Sequence, residues 1–326
     1  MKGFRISRKC SIRFFVMLIV LFAFTAQIMA QKVFLTLGTS SPGGVFYPLG
    51  GGMAVVIQKT TDFRCAAEST AGSVENSRLL GNEELDLAMS MGSIAYNAVI
   101  GAAPFTEKLD LVTLFQMYPA PEHIVTLPNS GIKTVEDLKG KRVSIDVPGS
   151  GTGVMAEIIL KAYGFDLDKD LKIARLTQSE VAPAMRDGII DAYFMISAYP
   201  ASTMLDLAAT KNGLTLLPIK PAIMDKILKE YRYFIKTTVP AGTYPGVTSD
   251  ILCLGDSNLV IANRSMKEDI AYKVTKAIFE NATKGDWALN KIHPVANQFI
   301  PANGVNTPLE LHPGAIKYFR EVGALK

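Results

Sequence analysis

Short apolar runs alternate along this chain with longer stretches whose apolar residues recur at helical spacing, and one arrangement of them occurs twice. The first copy is Val33-Phe-Leu-Thr-Leu, the loop Gly38-Thr-Ser-Ser-Pro-Gly-Gly44, and a helix opening near Pro48. The second, about 110 residues on, is Arg142-Val-Ser-Ile-Asp-Val147, the loop Pro148-Gly-Ser-Gly-Thr-Gly153, and a helix from about Val154. Leu49, Met53, Val56 and Ile57 form an apolar stripe on the first helix, and Pro48 suits its first turn. Strands are expected at 33–37, 63–68 and 85–89, with helices at 48–60 and 73–80; Ser73 reads as the cap of the second helix and Gly81 as its end. The second copy repeats this order with strands at 143–147, 171–175 and 190–196 and helices at 154–163 and 179–186, ended by Gly164 and Gly188.

Alternating strand and helix argues for an α/β fold with mostly parallel sheets. Two βαβαβ lobes result. The apolar runs 123–127 and 258–262 read as strands crossing between them, a two-strand hinge, and the tail with its helix at 267–284 returns to the first lobe. The expected division is 31–126 plus 256–326 for lobe 1 and 127–255 for lobe 2. One continuous sheet is the alternative arrangement.

The first thirty residues belong to a different reading. Lys2, Arg5, Arg8, Lys9 and Arg13 precede an apolar run over 14–24 and small residues ending at Ala30. This is the layout of a signal peptide spanning 1–30, and export to the periplasm with cleavage near Ala30 is expected; a retained membrane anchor is the alternative. The whole chain carries +4, and the segment 1–30 holds five of the positive charges and no acid, so the remainder sits near −1 (4 − 5). The basic balance therefore gives no support for a nucleic-acid partner. Beyond this segment Cys65 and Cys253 remain, either two buried thiols or a disulfide.

Ligands of open α/β sheets bind beyond the carboxyl ends of the strands. Those ends fall at 38–44, 69–73, 90–93, 148–153, 177–180 and 197–199, rich in Ser, Thr, Gly and amide side chains and nearly free of Lys, Arg and His. Neutral donors and helix N-termini of this kind hold a carboxylate. No nucleotide or hydrolase motif is present: the loop at 149–153 lacks Gly-Lys-Ser/Thr, Val154 stands where a dinucleotide fingerprint needs glycine, and no Gly-x-Ser-x-Gly occurs. His123, His293 and His312 are isolated from other metal-binding residues; the last two precede prolines and read as surface turns, and His123 as a structural hydrogen-bonding group. No metal, cofactor or catalytic group is expected. Tyr193 and Phe194 occupy opposite faces of one strand, so one of them faces the cleft; Phe194 is taken as a candidate, as is Ser93 at the end of the third strand.

Several segments carry a family resemblance. Gly38-Thr-Ser-Ser-Pro-Gly-Gly-Val-Phe-Tyr-Pro-Leu-Gly50, Ser69-Thr-Ala-Gly-Ser-Val-Glu-Asn76, Tyr118-Pro-Ala-Pro-Glu-His123, Asp137-Leu-Lys-Gly-Lys-Arg-Val143, Pro148-Gly-Ser-Gly-Thr152, Pro240-Ala-Gly-Thr-Tyr-Pro-Gly246 and Leu311-His-Pro-Gly-Ala315 stand in order. They resemble the TAXI family, the extracytoplasmic solute receptors of one branch of TRAP transporters. The resemblance implies a two-lobed periplasmic-binding-protein fold of the second type, a monomeric receptor, and an ion-coupled TRAP permease as membrane partner. It implies carboxylate ligands such as glutamate or dicarboxylates. By position it assigns ligand binding to Gly43, Gly44, Tyr47, Ser69, Thr70, Ser73, Asn76, Ser150 and Thr152. The chain departs from the pattern at Met91-Gly-Ser-Ile-Ala-Tyr96, where relatives carry Gln-Ser-Asp before a tyrosine, and at Ala120, where an acid is expected. Those losses favour a plain dicarboxylate or keto acid over an amino acid. A receptor serving an ABC importer or a sensor, and a transferase on the same fold, are the alternatives.

Overall fold

A computed structural model describes residues 33–210 and 213–326; the signal-peptide reading and its cleavage site lie outside the described residues. The described residues form ten strands: β1 (Phe34–Gly38), β2 (Arg64–Glu68), β3 (Leu87–Met91), β4 (Leu111–Thr126), β5 (Arg142–Ser144), β6 (Lys172–Ala174), β7 (Ala192–Ile196), β8 (Thr215–Leu216), β9 (Ile235–Val239) and β10 (Ile251–Asn263). The helices are α1 (Phe46–Thr60), α2 (Ser73–Gly81), α3 (Gly92–Ile100), α4 (Gly151–Ala162), α5 (Leu167–Asp170), α6 (Val181–Arg186), α7 (Ser202–Ala208), α8 (Pro221–Glu230), α9 (Glu268–Glu280), α10 (Pro301–Gly304) and α11 (Pro313–Glu321).

The hydrogen-bonded strand order is β2-β1-β3-β10-β4-β7-β5-β6, an open mixed α/β sheet with β8 and β9 added to β4 and β10. β1 lies parallel to β2 and β3, and β5 parallel to β6 and β7. Between these two parallel groups run the long antiparallel strands β4 and β10. The path is continuous, so a running sheet describes the hydrogen bonding, while β4 and β10 carry the chain twice from one group to the other. The expected crossing runs at 123–127 and 258–262 are pieces of these strands, which are 16 and 13 residues long. β3 has all five residues buried, as a strand covered on both faces must.

Helices cover both faces. Leu49, Met53, Val56 and Ile57 of α1 pack with Val274 and Ile278 of α9 and with Tyr318 and Phe319 of α11 against Leu35 and Leu37 of β1. On the other face Val74 and Leu80 of α2, Ile94 of α3 and Met155 and Ile159 of α4 share a core with Ile124, Val143 and Phe194, so one apolar layer spans both parallel groups. A third cluster joins Met185 of α6 and Met204 and Leu207 of α7 to Tyr193, Met195 and Cys253.

Several local expectations change. The third strand is β3 at Leu87–Met91, two residues later than expected. Ser73 does not cap α2: Gly72, at φ 116°, occupies the cap position, and Ser73 Oγ accepts the Met91 amide at 3.0 Å. His293 and His312 are buried rather than surface residues. Each uses Nδ1 to accept an amide at a helix start, Val295 and Gly314, both at 3.1 Å. Cys65 and Cys253 are free buried thiols, and burial pushes both up to about 12. Among the described residues no helix is long and apolar enough to cross a membrane.

Candidate functional site

The carboxyl ends of all six parallel strands meet around one cavity between the two groups. Ser40, Ser41, Val45 and Phe46 reach it from the β1–α1 loop, Ala71, Gly72 and Ser73 from the β2–α2 loop, and Met91 from the end of β3. The second group supplies Asp146, Ser150, Gly151 and Thr152 after β5, Gln178 after β6, and Ile196 and Ser197 after β7; Tyr118 of β4 and Asn258 of β10 complete the lining. The cavity encloses about 30 Å³ and communicates with about 450 Å³ of empty space once its mouth is included. Among the described residues, neither lysine, arginine nor histidine lines it.

Among the described lining residues the one charged group is Asp146, at φ 67° in the left-handed region just past β5. This conformation is one that aspartate tolerates better than most residues, and it turns the side chain back onto its own loop. The Val147 amide donates to Oδ1 at 2.8 Å, and the side chains of Ser150, Gln178 and Thr152 donate as well. Burial raises its carboxyl above the usual range, and these donors pull it back. They hold the carboxyl group at the cavity wall. Gln178 adds an acceptor: its Oε1 is buried and has no partner among the described residues, as is Ser197 Oγ.

Donors for an anion come from α4. Ser150 Oγ accepts the Gly153 amide at 3.3 Å and caps the helix. The Gly151 and Thr152 amides, in the first turn, have no intrahelical acceptor and belong to residues that line the cavity. The positive end of a twelve-residue helix therefore lies beside Asp146. The start of α2, by contrast, is already occupied. The Val74 and Glu75 amides both donate to Gly149 O, at 3.0 and 3.1 Å, so this helix end holds the opposite loop. Gly43 O accepts from Ser202 Oγ at 3.1 Å and Thr203 Oγ1 at 3.0 Å. His293 Nε2 donates to Pro200 O at 3.1 Å. These three bridges join the two groups across the mouth.

Of the residues singled out from sequence, Ser73, Ser150 and Thr152 line the cavity. Their hydroxyls are already engaged: Thr152 Oγ1 accepts the Ile196 amide at 3.4 Å, and both Ser150 and Thr152 serve Asp146. Ser69, Thr70 and Asn76 lie behind the wall and knit two loops together. Ser69 Oγ donates to Ser40 O, Thr70 Oγ1 to Asn76 Oδ1, and Asn76 Nδ2 to Thr39 O and Met89 O. Gly43 and Gly44 face Gln178, where a side chain has no room. Tyr47 is 45% exposed on α1, and Phe194 is buried in the core layer. Ser93 starts α3 with its amide on Asp256. Tyr193 and Phe194 are both buried in core clusters, and neither lines the cavity. Tyr118, one of the aromatic residues expected near the cleft, does line the cavity, whereas sequence reasoning did not single out Asp146, Gln178 or Asn258. The available signal for Asp146 was an acid in the last turn of chain before a glycine loop, at a strand's carboxyl end.

His123 is buried on the face opposite the cavity, its Nδ1 donating to Met195 O at 3.1 Å, and burial lowers it to about 4. It is a neutral structural group.

Fold and site together define a class: an open α/β sheet of the periplasmic-binding-protein kind, with a small polar cavity where its parallel strands end. Two solved structures share it at the level of fold. PhnD1 from Prochlorococcus marinus, solved in complex with methylphosphonate, superposes with a TM-score of 0.55 and 12% identity, over 90% of this chain and 99% of its own. MatC from Rhodopseudomonas palustris, solved with bound malate, gives 0.53 and 12% identity, over 82% and 89%. Residues 37–323 match the NMT1-like family, and the chain belongs to it. A putative thiamine biosynthesis protein of Haemophilus influenzae is 29% identical over 143 residues, 43% of this chain; the match spans only 42% of that relative.

Proposed function

We propose that this protein is an extracytoplasmic solute receptor that closes two lobes over a small carboxylic acid and delivers it to a membrane permease. The lobes are 31–126 plus 256–326 and 127–255, hinged on β4 and β10, and export follows cleavage near Ala30. The observation that carries this reading is the cavity itself, in which six strand-end loops from two parallel groups converge and whose described residues offer neutral donors, one acid and no cation. A ligand carboxylate sits at the α4 amides. Asp146 and Gln178 Oε1 then face a part of the ligand that donates hydrogen bonds, so the acid also bears an ammonium or hydroxyl group. This favours amino-acid and hydroxy-acid ligands over the plain dicarboxylate or keto acid expected from the sequence, neither of which offers a donor there. A ligand with carboxylates at both ends meets Asp146 at the cost of like-charge repulsion. The TAXI-like segments support a TRAP permease as partner.

Native mass spectrometry of freshly purified protein tests this. The expected result is a retained small acid, with first residues near Gln31 by N-terminal sequencing. A retained pyrimidine or thiamine-like base, in line with the name of the Haemophilus relative, overturns the carboxylate assignment. With the permease in liposomes, uptake driven by an ion gradient without ATP supports the TRAP assignment, and ATP dependence replaces it with an importer of the ABC type.

A further inference from the structure

Behind the cavity wall lies a carboxyl group for which the fold provides nothing. Glu122 is fully buried on β4, and neither of its oxygens has a hydrogen-bond partner among the described residues. It pairs in register with Ile196, a cavity residue, and the preceding Pro121 pairs with Gly255 of β10 and accepts the Ser197 amide at 3.3 Å. Glu122 thus stands one strand behind the cavity, on the crossing strand where the two parallel groups meet.

The groups that face it make ionisation costly. Asp146 presents a second carboxyl from the β5–α4 loop, and the Cys253 thiol, packed in the third cluster on the other face, lies within electrostatic range. β7 offers Ile196 and Ser197, neither of which carries charge, and His123 on its own strand points to the opposite face and is neutral. Among the described residues, no lysine or arginine is one of the charges that act on it. Of the two neighbouring acids, Asp146 receives every donor: the Val147 amide and the Ser150, Thr152 and Gln178 side chains. Glu122 receives none. A buried carboxylate without donors is far more costly than a neutral carboxyl, and burial, reinforced by Asp146, raises Glu122 well above the ordinary glutamate range.

We propose that Glu122 is a proton-binding site coupled to closure: the closed form holds Glu122 as the neutral acid, and opening at the β4–β10 crossing releases that proton to water. Closing takes up one proton from solvent as the carboxylate becomes a carboxylic acid, and no other bond changes. Closure is therefore favoured as pH falls, and the solute is held more tightly in acid than in alkali, by up to tenfold per pH unit for one linked proton. The coupling rests on the receptor reading above; the protonation of Glu122 does not.

Two measurements on the full ligand-free protein decide it. In an Asp256→Asn background, which removes the other buried acid that is partly protonated at neutral pH, infrared spectroscopy at neutral pH is expected to show a protonated buried carboxyl band that disappears in Glu122→Gln, an isostere of the neutral acid. Glu122→Met is the second variant, should the amide fold poorly. Absence of the band, or its persistence in both variants, overturns the proposal. Small-angle scattering from about pH 5 to about pH 9, spanning the ordinary and raised carboxyl ranges, is expected to show expansion of the parent as pH rises and none in Glu122→Gln. Identical profiles for the two proteins overturn the coupling. A retained acid by mass spectrometry with no infrared band separates failure of this proposal from failure of the receptor reading.

Discussion

Two buried aspartates stand at helix starts, one beside each parallel group, and the two differ in what they hold. Asp256, on β10, is fully buried and takes the Ser93 amide on both oxygens, at 3.3 and 3.1 Å, with the Ser93 and Ser257 side chains as further donors. It caps α3, whose own cap residue, Met91, has no side-chain hydrogen bond to offer. Asp146 is also ringed by donors, yet α4 has its own cap in Ser150. The Asp146 carboxylate is thus freed from capping and opens onto the cavity. The difference teaches that a buried acid is structural where it replaces a missing local cap and available to a ligand where the cap is already supplied.

The largest expected consequence concerns Asp256 and pH. Burial pushes its carboxyl up to about 7, against about 3.9 in the unfolded chain. Because the folded value is the higher one, its contribution to stability is fully present below about pH 4. It declines as pH rises and levels off above about pH 7. About three units correspond to on the order of 4 kcal/mol. In Asp256→Asn, urea unfolding across this range should lose that decline, so that the variant gains on the parent as pH rises. Solute affinity should stay near the parent's. A parallel pair of stability curves would mean that Asp256 is ionised without cost and that the comparison with Asp146 has no electrostatic basis.

Asp146→Asn is expected to show the reverse pattern. Asparagine suits the left-handed backbone at this position, so the fold should change little. Losing a charge-assisted hydrogen bond costs about 1.5–3 kcal/mol, or about 10- to 150-fold in affinity for an acid bearing an ammonium or hydroxyl group. Calorimetric titration with the acid retained on purification measures this. Unchanged or tighter binding would show that the ligand presents only acceptors, as a plain dicarboxylate does.

The contrast between these aspartates also marks what the sequence could reveal. The repeated strand, loop and helix units were legible because period-two and helical spacing are local signals, and the strand ends could be named from them. All six of those loops do reach the cavity. What stayed hidden was pairing between distant residues. The cap of α3 comes from 163 positions away, and nothing in Gly92-Ser-Ile announces it. The assignment of Ser73 as a cap failed for the same reason, since its hydroxyl is claimed by the β3 backbone. Ser150 was placed correctly at the cavity, but its engagement with Asp146 depends on a backbone turn that residue types do not specify. Buried histidine caps such as His293 and His312 look in sequence like turn residues before proline, because the cap geometry places them there and only tertiary packing covers them.

Closure itself is tested at Gly151. A β-carbon there would overlap Met91 Sδ and come within 3.1 Å of Ser73 Oγ on the facing group. Overpacking of this kind costs about 1–3 kcal/mol, and the strain exists only when the two groups meet. Gly151→Ala should therefore weaken solute binding by roughly 5- to 150-fold, while leaving nearly unchanged the unfolding midpoint of the ligand-free protein at about pH 9, above the ordinary carboxyl range, where the two groups stand apart. Small-angle scattering should show a more expanded particle with solute than the parent shows. Full affinity in this variant would mean that the contact between Gly151 and Met91 is not part of the solute-bound form.

The smallest effect is expected at the opposite rim, where Thr203 shares its hydroxyl proton between Gly43 O and Gln178 O at 3.0 and 2.9 Å. A neutral hydrogen bond contributes about 0.5–1.5 kcal/mol. Ser202 Oγ also reaches Gly43 O, at 3.1 Å, so Thr203→Ala leaves that carbonyl a donor. Gln178 O has no comparable replacement, which keeps the expected loss above zero. Affinity should fall about 2- to 12-fold, and Ser202→Ala combined with Thr203→Ala should cost more than the sum of the single changes, since each hydroxyl covers for the other. If Thr203→Ala alone weakens binding more than Asp146→Asn does, then the bridges across the mouth, rather than the acid inside, dominate solute retention, and the role assigned to Asp146 passes to the rim.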